Sequence, residues 1–229
     1  MCGRFSLHSD RDKILKQFSL LENQALEFKP SYNIAPSQLI YVICEIPNKD
    51  GKISRIMTTM QWGFIPFWSK EKSLTGIINA RLETIDNKPA FKQAFKQHRC
   101  LIIADGFYEW KPKSSYKQPY YICTKDHSLF AMAGIWSRWK GEKETVDSCA
   151  ILTIEANKVL DFLHARMPAL ISSDGYSKWL EPNYRNIEAL KLLAKTYPVE
   201  NLDLFPVDRK VNNFRYNNVD CVKPVSGKE

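Results

Sequence analysis

The amino-acid sequence predicts an α+β fold, a single domain whose largely antiparallel β-sheet core can close into a barrel, with helices flanking it. Segment after segment is rich in β-branched and aromatic residues, and short polar turns join one to the next. Helical spacing is confined to short stretches between these segments. The 229 residues, 44% of them hydrophobic and 12% aromatic, suffice for one sizeable core. The domain is assigned to 1–222, and 223–229 read as a flexible tail, within a stretch after Phe214 that is polar and loose.

In chain order, Ser9-Asp10-Arg11-Asp12 has the form of a capping box with Asp in place of Glu. Ile14, Leu15 and Phe18 follow at helical spacing, so a short helix is predicted there. Pro30 and Pro36 keep 31–35 extended or turned, because the residue before a proline is pushed out of the α region. Strands are predicted over 39–46 and 52–62, joined by the turn Asn48-Lys49-Asp50-Gly51. The stretch 62–68, Trp-Gly-Phe-Ile-Pro-Phe-Trp, reads as a stiff loop. Trp62 is assigned to the core and Trp68 to the surface, where its ring can stack on nucleobases. If 77–83 is extended, Asn79 and Arg81 share one face. A helix over 89–97 has Pro at a tolerated first-turn position. Strands follow over 99–110, 119–124, 129–136 and 148–155. Asn157 can cap a helix running to about Ala165, and further helices are predicted over 176–180 and 186–197.

Charge and cysteine usage narrow the function. Lys and Arg outnumber Asp and Glu 33 to 25, for a formal charge of +8 and a pI near 9.1, which suits a polyanionic partner such as nucleic acid. The lysines are spread along the chain, so basicity alone is also met by a solvated surface. Cys44, Cys100, Cys123 and Cys149 lie singly in apolar stretches, Cys221 lies near the end of the sequence, and no C-x-x-C pair occurs. They read as buried thiols of a reducing compartment, which points to the cytoplasm. His8, His98, His127 and His164 are scattered, so no metal site and no cofactor are expected. No apolar run is long enough to span a bilayer.

Met1-Cys2-Gly3-Arg4-Phe5 carries the chemistry. A cysteine side chain is small enough for the preceding methionine to be trimmed, which leaves an α-amine and a thiol on adjacent carbons. The amine titrates near ~7.7–8.0 and the thiol near ~8.5, so both are partly unprotonated near neutrality. An aldehyde would condense with the amine to an imine, and the thiol would close a five-membered thiazolidine on the same carbon. On position alone a residue-2 cysteine is usually incidental to a frayed terminus, and the residues alone leave both readings open. Glu109 lies between Tyr108 and Trp110. It is either a strand carboxylate facing water or one desolvated enough to shuttle protons near neutrality. His164 lies at the predicted helix end, a place suited to a functional imidazole.

Six motifs in one order carry a resemblance. They are Cys2-Gly3-Arg4-Phe5, Tyr32-Asn33-Ile34-Ala35-Pro36, Trp62-Gly63 with Pro66, Asn79-Ala80-Arg81-Leu82-Glu83-Thr84, Ala104-Asp105-Gly106-Phe107-Tyr108-Glu109-Trp110, and His164-Ala165-Arg166-Met167-Pro168. With them the chain resembles the SRAP family of abasic-site processing proteins from Cys2 to about Val222. The resemblance implies that Cys2 crosslinks covalently to abasic sites in single-stranded DNA, including sites at junctions with duplex, and shields them from strand cleavage. It implies that Asn79 and His164 position the sugar, and that Glu109 assists ring opening and stabilises the adduct. It implies DNA contacts from Arg4, Asn33, Pro36, Trp68, Arg81, Thr153 and Arg166, the arginines on phosphates and Pro36 and Trp68 by stacking. It also implies a monomer with lyase-like activity, whose amino terminus is made by thiol-peptidase-like self-cleavage or by trimming. The family often has two tryptophans where this chain has Phe67-Trp68. Two other functions fit parts of the pattern. N-terminal-nucleophile amidotransferases also begin Met-Cys-Gly, but usually continue with Ile where Arg4 stands. A noncatalytic single-strand binder would use the arginines and aromatics alone.

Overall fold

The computed structural model describes residues 2–20, 27–48, 50–73, 75–195 and 197–225. In chain order its strands are β1 (Phe5–Leu7), β2 (Ser31–Ile34), β3 (Leu39–Pro47), β4 (Ile53–Trp62), β5 (Asn79–Arg81), β6 (Arg99–Ala104), β7 (Gly106–Pro112) and β8 (Lys117–Thr124). They continue with β9 (Phe130–Lys140), β10 (Thr145–Glu155), β11 (Arg166–Pro168), β12 (Leu170–Ile171) and β13 (Leu202–Pro206). The helices are α1 (Arg11–Gln17), α2 (Pro89–Gln97), α3 (Tyr176–Leu180) and α4 (Ile187–Leu193).

Five strands close on themselves in the order β10-β4-β3-β6-β9 and back to β10, so the larger sheet is a barrel. Most of its pairings are antiparallel, as expected, but β10 runs parallel to both β4 and β5. Every residue of β6 is buried, Arg99 included, and 100–104 therefore reads as a continuous apolar run and not as an alternation. Helix α2 has the predicted bounds, with Pro89 in its first turn. A second sheet, ordered β13-β8-β7-β1-β2, packs on the barrel, and β1 lies in its interior. Phe5 of β1 meets Trp62 of the barrel edge-on at 5.2 Å, and both rings are fully buried.

The predicted strand 99–110 is two strands, because the chain leaves one sheet for the other at Asp105. The buried Asp105 carboxylate accepts from the Ser9 hydroxyl and from the backbone amides of His8 at 2.6 Å and Ser9 at 2.9 Å, while its own amide donates to Ser6 O at 2.9 Å. That engagement is also why the capping box is not made: Ser9 turns to Asp105, and Asp10 stands at the N-cap of α1 without a side-chain cap. The helix expected over 157–165 is a closed loop of turns. Strand β11 must return antiparallel beside β10, with Glu155 opposite Arg166, so the chain doubles back where a helix would carry it away. Asn157 still caps, its Oδ1 accepting from Val159 and Leu160 amides at 2.8 and 3.0 Å. The predicted extended run 77–83 ends early, since Leu82–Thr84 is a 3-10 turn. Helix α4 is shorter than 186–197: Asn186 caps its start and it ends at Leu193, with Ala194 at the C-cap.

The largest departure is the segment after Phe214. It is anchored: Cys221 is buried, Val219–Val222 form a 3-10 turn, and Val225 N donates to Pro206 O at 2.9 Å. The anchors are backbone carbonyls and small buried groups, which leave no apolar period to read. Within the predicted tail, residues 226–229 lie outside the described residues.

Phe5 fills a fully enclosed position between the two sheets. Phe5→Ala is therefore expected to lower unfolding free energy by about 3–5 kcal/mol, measured as a shift in urea denaturation midpoint.

Candidate functional site

Burial of β1 sets the position of Cys2. Its backbone is held from one side by Tyr108 N, which donates to Arg4 O at 2.9 Å, and from the other by Asn79, whose Nδ2 donates to Cys2 O at 2.8 Å. Cys2 is itself fully buried, with Sγ 3.7 Å from Arg4 O. Burial pushes its thiol far above the ordinary thiol range, and the nearby Glu109 charge adds to that, against weaker lowering by the Arg4 backbone. Asn79 is fixed because β5 runs parallel to β10, pairing Asn79 with Ile151 and Arg81 with Thr153. Its other amide atom, Oδ1, is buried without a hydrogen-bond partner among the described residues.

Glu109 sits on β7 opposite Tyr120 and is 6% exposed. This removes the reading of a strand carboxylate facing water. Burial raises its pKa, while nearby positive charge, His164 included, lowers it by less. His164 closes the loop before β11, and its Nδ1 accepts from the Arg166 amide at 2.9 Å. In the neutral ring that bond leaves the proton on Nε2. The backbone of Arg166 is steadied by its side chain. The guanidinium makes two 2.9 Å bonds to the Glu83 carboxylate and one of 2.5 Å to Thr153 O, and lies 3.2 Å from Thr153 Oγ1. A cleft of about 440 Å³ opens beside these groups, lined by Glu109, Trp110, Lys117, His164 and Asn212. Glu109, whose burial disfavours ionisation, thus stands with the His164 imidazole at a cleft near Cys2, three positions before β1. Such a set can move protons between bound oxygen and nitrogen atoms. Among the described residues, no three His, Cys, Asp or Glu side chains form a metal-ligating group.

The expected catalytic residues Cys2, Asn79, Glu109 and His164 are thus linked through contacts and charge. The expected DNA-binding residues are divided. Trp68 is 57% exposed and Phe67 52%, on a loop whose entry is pinned by Trp62 Nε1 donating to Ile78 O at 2.9 Å. Gly63 and Gly76 cross there so closely that a Cβ on Gly76 would lie 2.2 Å from Gly63 O. Pro36 is half-buried beside Ser37, whose amide donates to Trp62 O, and Arg81 is exposed. Asn33 and Thr153, by contrast, are interior. Asn33 Nδ2 lies within 3.2 Å of Val211, Asn213 and Tyr216 carbonyls, and its Oδ1 accepts from Arg4 at 2.8 Å. Arg4 also donates to Val211 O at 2.9 Å. Their amide, hydroxyl and guanidinium groups hold the frame, because unpaired polar atoms are costly inside it. Sequence reasoning missed Trp110, Lys117 and Asn212 as lining residues and Glu83 as the partner of Arg166. Glu83 lay within a recognised motif, but nothing in its spacing pointed to Arg166.

Comparison with known proteins follows this geometry. Residues 1–214 match the model of the SOS response associated peptidase (SRAP) family. The chain is 36% identical to the abasic site processing protein YoqW of Bacillus subtilis (strain 168), over 97% of this chain and 99% of that protein. It is 31% identical to the abasic site processing protein HMCES of Xenopus tropicalis, over 98% of this chain and 78% of that one. A crystal structure of a protein from Bacteroides thetaiotaomicron shares the fold, with a TM-score of 0.81 at 24% identity, covering 98% of this chain and all of that one.

The state of Glu109 has a measurable sign. Its folded pKa lies above its unfolded value, so the folded state holds the proton longer, and its share of stability is lost as pH rises from about 4.5 through the folded pKa. Glu109→Gln is expected to unfold at higher urea than the parent at pH 7.5 and to match it at pH 4. A difference that grows on acidification would contradict the assignment.

Proposed function

We propose, because this chain belongs to the SOS response associated peptidase (SRAP) family, that it processes abasic sites in single-stranded DNA by capturing them covalently at Cys2. Loss of Met1, by self-cleavage or by an aminopeptidase, supplies the α-amine; Met1 itself lies outside the described residues. The abasic deoxyribose is mostly a closed hemiacetal, so protons must move before its aldehyde can react. Glu109 delivers or accepts these protons at the ring oxygen and the anomeric hydroxyl, and His164 Nε2–H donates to the sugar. The amine adds to the carbonyl carbon and expels one water to give an imine. The Cys2 sulfur then forms the S–C bond, the C=N pair becomes a lone pair on nitrogen, and the thiol proton passes to that nitrogen through Glu109. The product is a thiazolidine, one water lighter than its parts.

The observation that best supports this reading is the fixing of Cys2 by Asn79 beside the raised-pKa Glu109 and the oriented His164. An imine alone would acidify the neighbouring C2′ hydrogen and invite strand cleavage by β-elimination. Ring closure makes the carbon tetrahedral and removes that electron sink. A thiol held protonated by burial fits this order, since the amine attacks first and the sulfur needs activation only at the second step. Of the expected DNA contacts, exposed Trp68 stacks on a base and Arg81 meets phosphate, and the lesion is taken from single strands or at junctions with duplex. The protein acts as a monomer, associated with DNA.

Incubation with an abasic oligonucleotide should yield a denaturant-resistant adduct, with an intact mass equal to DNA plus Met-less protein minus one water. Cys2→Ala should form none, and a crosslink by that variant would remove the aminothiol from the mechanism. Glu109→Gln and His164→Ala should each slow capture, by about a hundredfold for loss of a general acid or base, read from time-course gels.

A further inference from the structure

The segment after β13, whose part beyond Phe214 was expected to be loose, is anchored by hydrogen bonds to the rest of the chain. Arg4 and Asn33 grip its carbonyls at Val211, Asn213 and Tyr216, Trp110 Nε1 donates to Asn212 Oδ1 at 2.7 Å, and the Tyr32 amide donates to Asn217 Oδ1 at 2.7 Å. What this framework displays is unusual for a polar terminal stretch. From 209 to 216 the sequence has three cations, Arg209, Lys210 and Arg215, and no carboxylate. All three are exposed, and each lies against a ring: Arg209 on Tyr116 at 4.7 Å, Lys210 on Tyr216 at 5.8 Å, and Arg215 on Phe214 at 5.6 Å. Phe214 is 51% exposed. The flanking acids lie outside the run, and Tyr216 OH donates to Asp220 at 3.5 Å. Asp208 caps the local turn through Lys210 N and touches Lys210 Nζ only at 3.7 Å, and Asp220 pairs with Lys223.

We infer that 209–216 is a preformed platform for single-stranded DNA, carrying the strand away from the cleft on the side opposite in chemistry to the Trp68 loop. Its place supports this, since Asn212 within the segment lines the cleft and Arg209 covers Tyr116, the neighbour of the cleft residue Lys117. Cations interleaved with open aromatic faces suit a flexible polyanion whose bases are free to stack. An acidic peptide would satisfy the cations but not the exposed Phe214. Arg4 and Asn33 then contribute to DNA binding as positioning residues that hold the platform. The inference rests on the proposed capture of abasic DNA and extends it to the flanking nucleotides.

The test compares the parent with Arg209→Gln/Lys210→Gln/Arg215→Gln and with Phe214→Ala, using undamaged single-stranded oligonucleotides over a salt series and abasic ones for crosslinking. The triple variant should bind about tenfold or more weakly at low salt, and its slope of log affinity against log salt should be smaller by about two, at about 0.7 per phosphate contact. Phe214→Ala should lose about tenfold with the slope retained, the signature of a lost stack. The abasic DNA concentration for half-maximal crosslinking should rise in parallel. If the triple substitution lowers the melting temperature, Arg215→Gln alone carries the test, with a slope smaller by about 0.7. Parental affinity and slope in these variants, with the crosslink still formed, overturn the platform and leave the capture reaction standing. No crosslink and no salt-dependent binding by the parent overturn both.

Discussion

Insertion of Phe5–Leu7 between β7 and β2 is the constraint on which the rest depends. A three-residue strand makes few ladder hydrogen bonds of its own. It persists because it is enclosed: Phe5 against Trp62, and backbone bonds from Asp105 and Tyr108. Once it is in place, Cys2 has almost no freedom left, and Asn79 needs only one bond to complete its fixation. Cys2, so near the start of the chain, is buried and hydrogen-bonded where a terminal stretch ordinarily frays.

Enclosure sets the electrostatics as well. Burial raises the pKa of both the Cys2 thiol and the Glu109 carboxylate, and the Glu109 charge raises that of Cys2 further, so both groups favour their neutral forms. Such a site keeps the Cys2 sulfur as a thiol and does not stabilise a thiolate that would attract oxidants. It also gives His164 a definite role, because the Arg166 amide decides which ring nitrogen bears the proton. The bidentate Arg166–Glu83 pair steadies that amide and links β11 to the turn following Asn79. One ion pair thus keeps two of the motifs in register.

Much of this was legible in the residues. The strands around Val42 and Ile102, the helix starting at Pro89, the burial of Trp62 and the exposure of Trp68 follow from local pattern, since apolar period and proline geometry are local causes. The failures share a different origin. Asp105 separates two sheets by bonding to residues about a hundred positions away, the 157–165 loop is bent by the need to pair β11 with β10, and the carboxy-terminal segment is anchored by Asn33 from the far end of the chain. No window of sequence contains both partners of such contacts. The same applies within the site. Cys2, Asn79, Glu109 and His164 were identified through motifs, but Trp110, Lys117 and Asn212 border the cleft only because the second sheet folds the end of the chain back onto its beginning.

That return has a consequence for how the protein is made. Strand β1 leaves the ribosome well before β7, which must cover it and lies about a hundred residues further on, and the clasp at Val211 follows later still. For most of translation the amino end therefore has no sheet to enter and stays open to any enzyme that trims nascent chains. Synthesis order thus leaves the segment before β1 accessible early and encloses it only as the later strands are added.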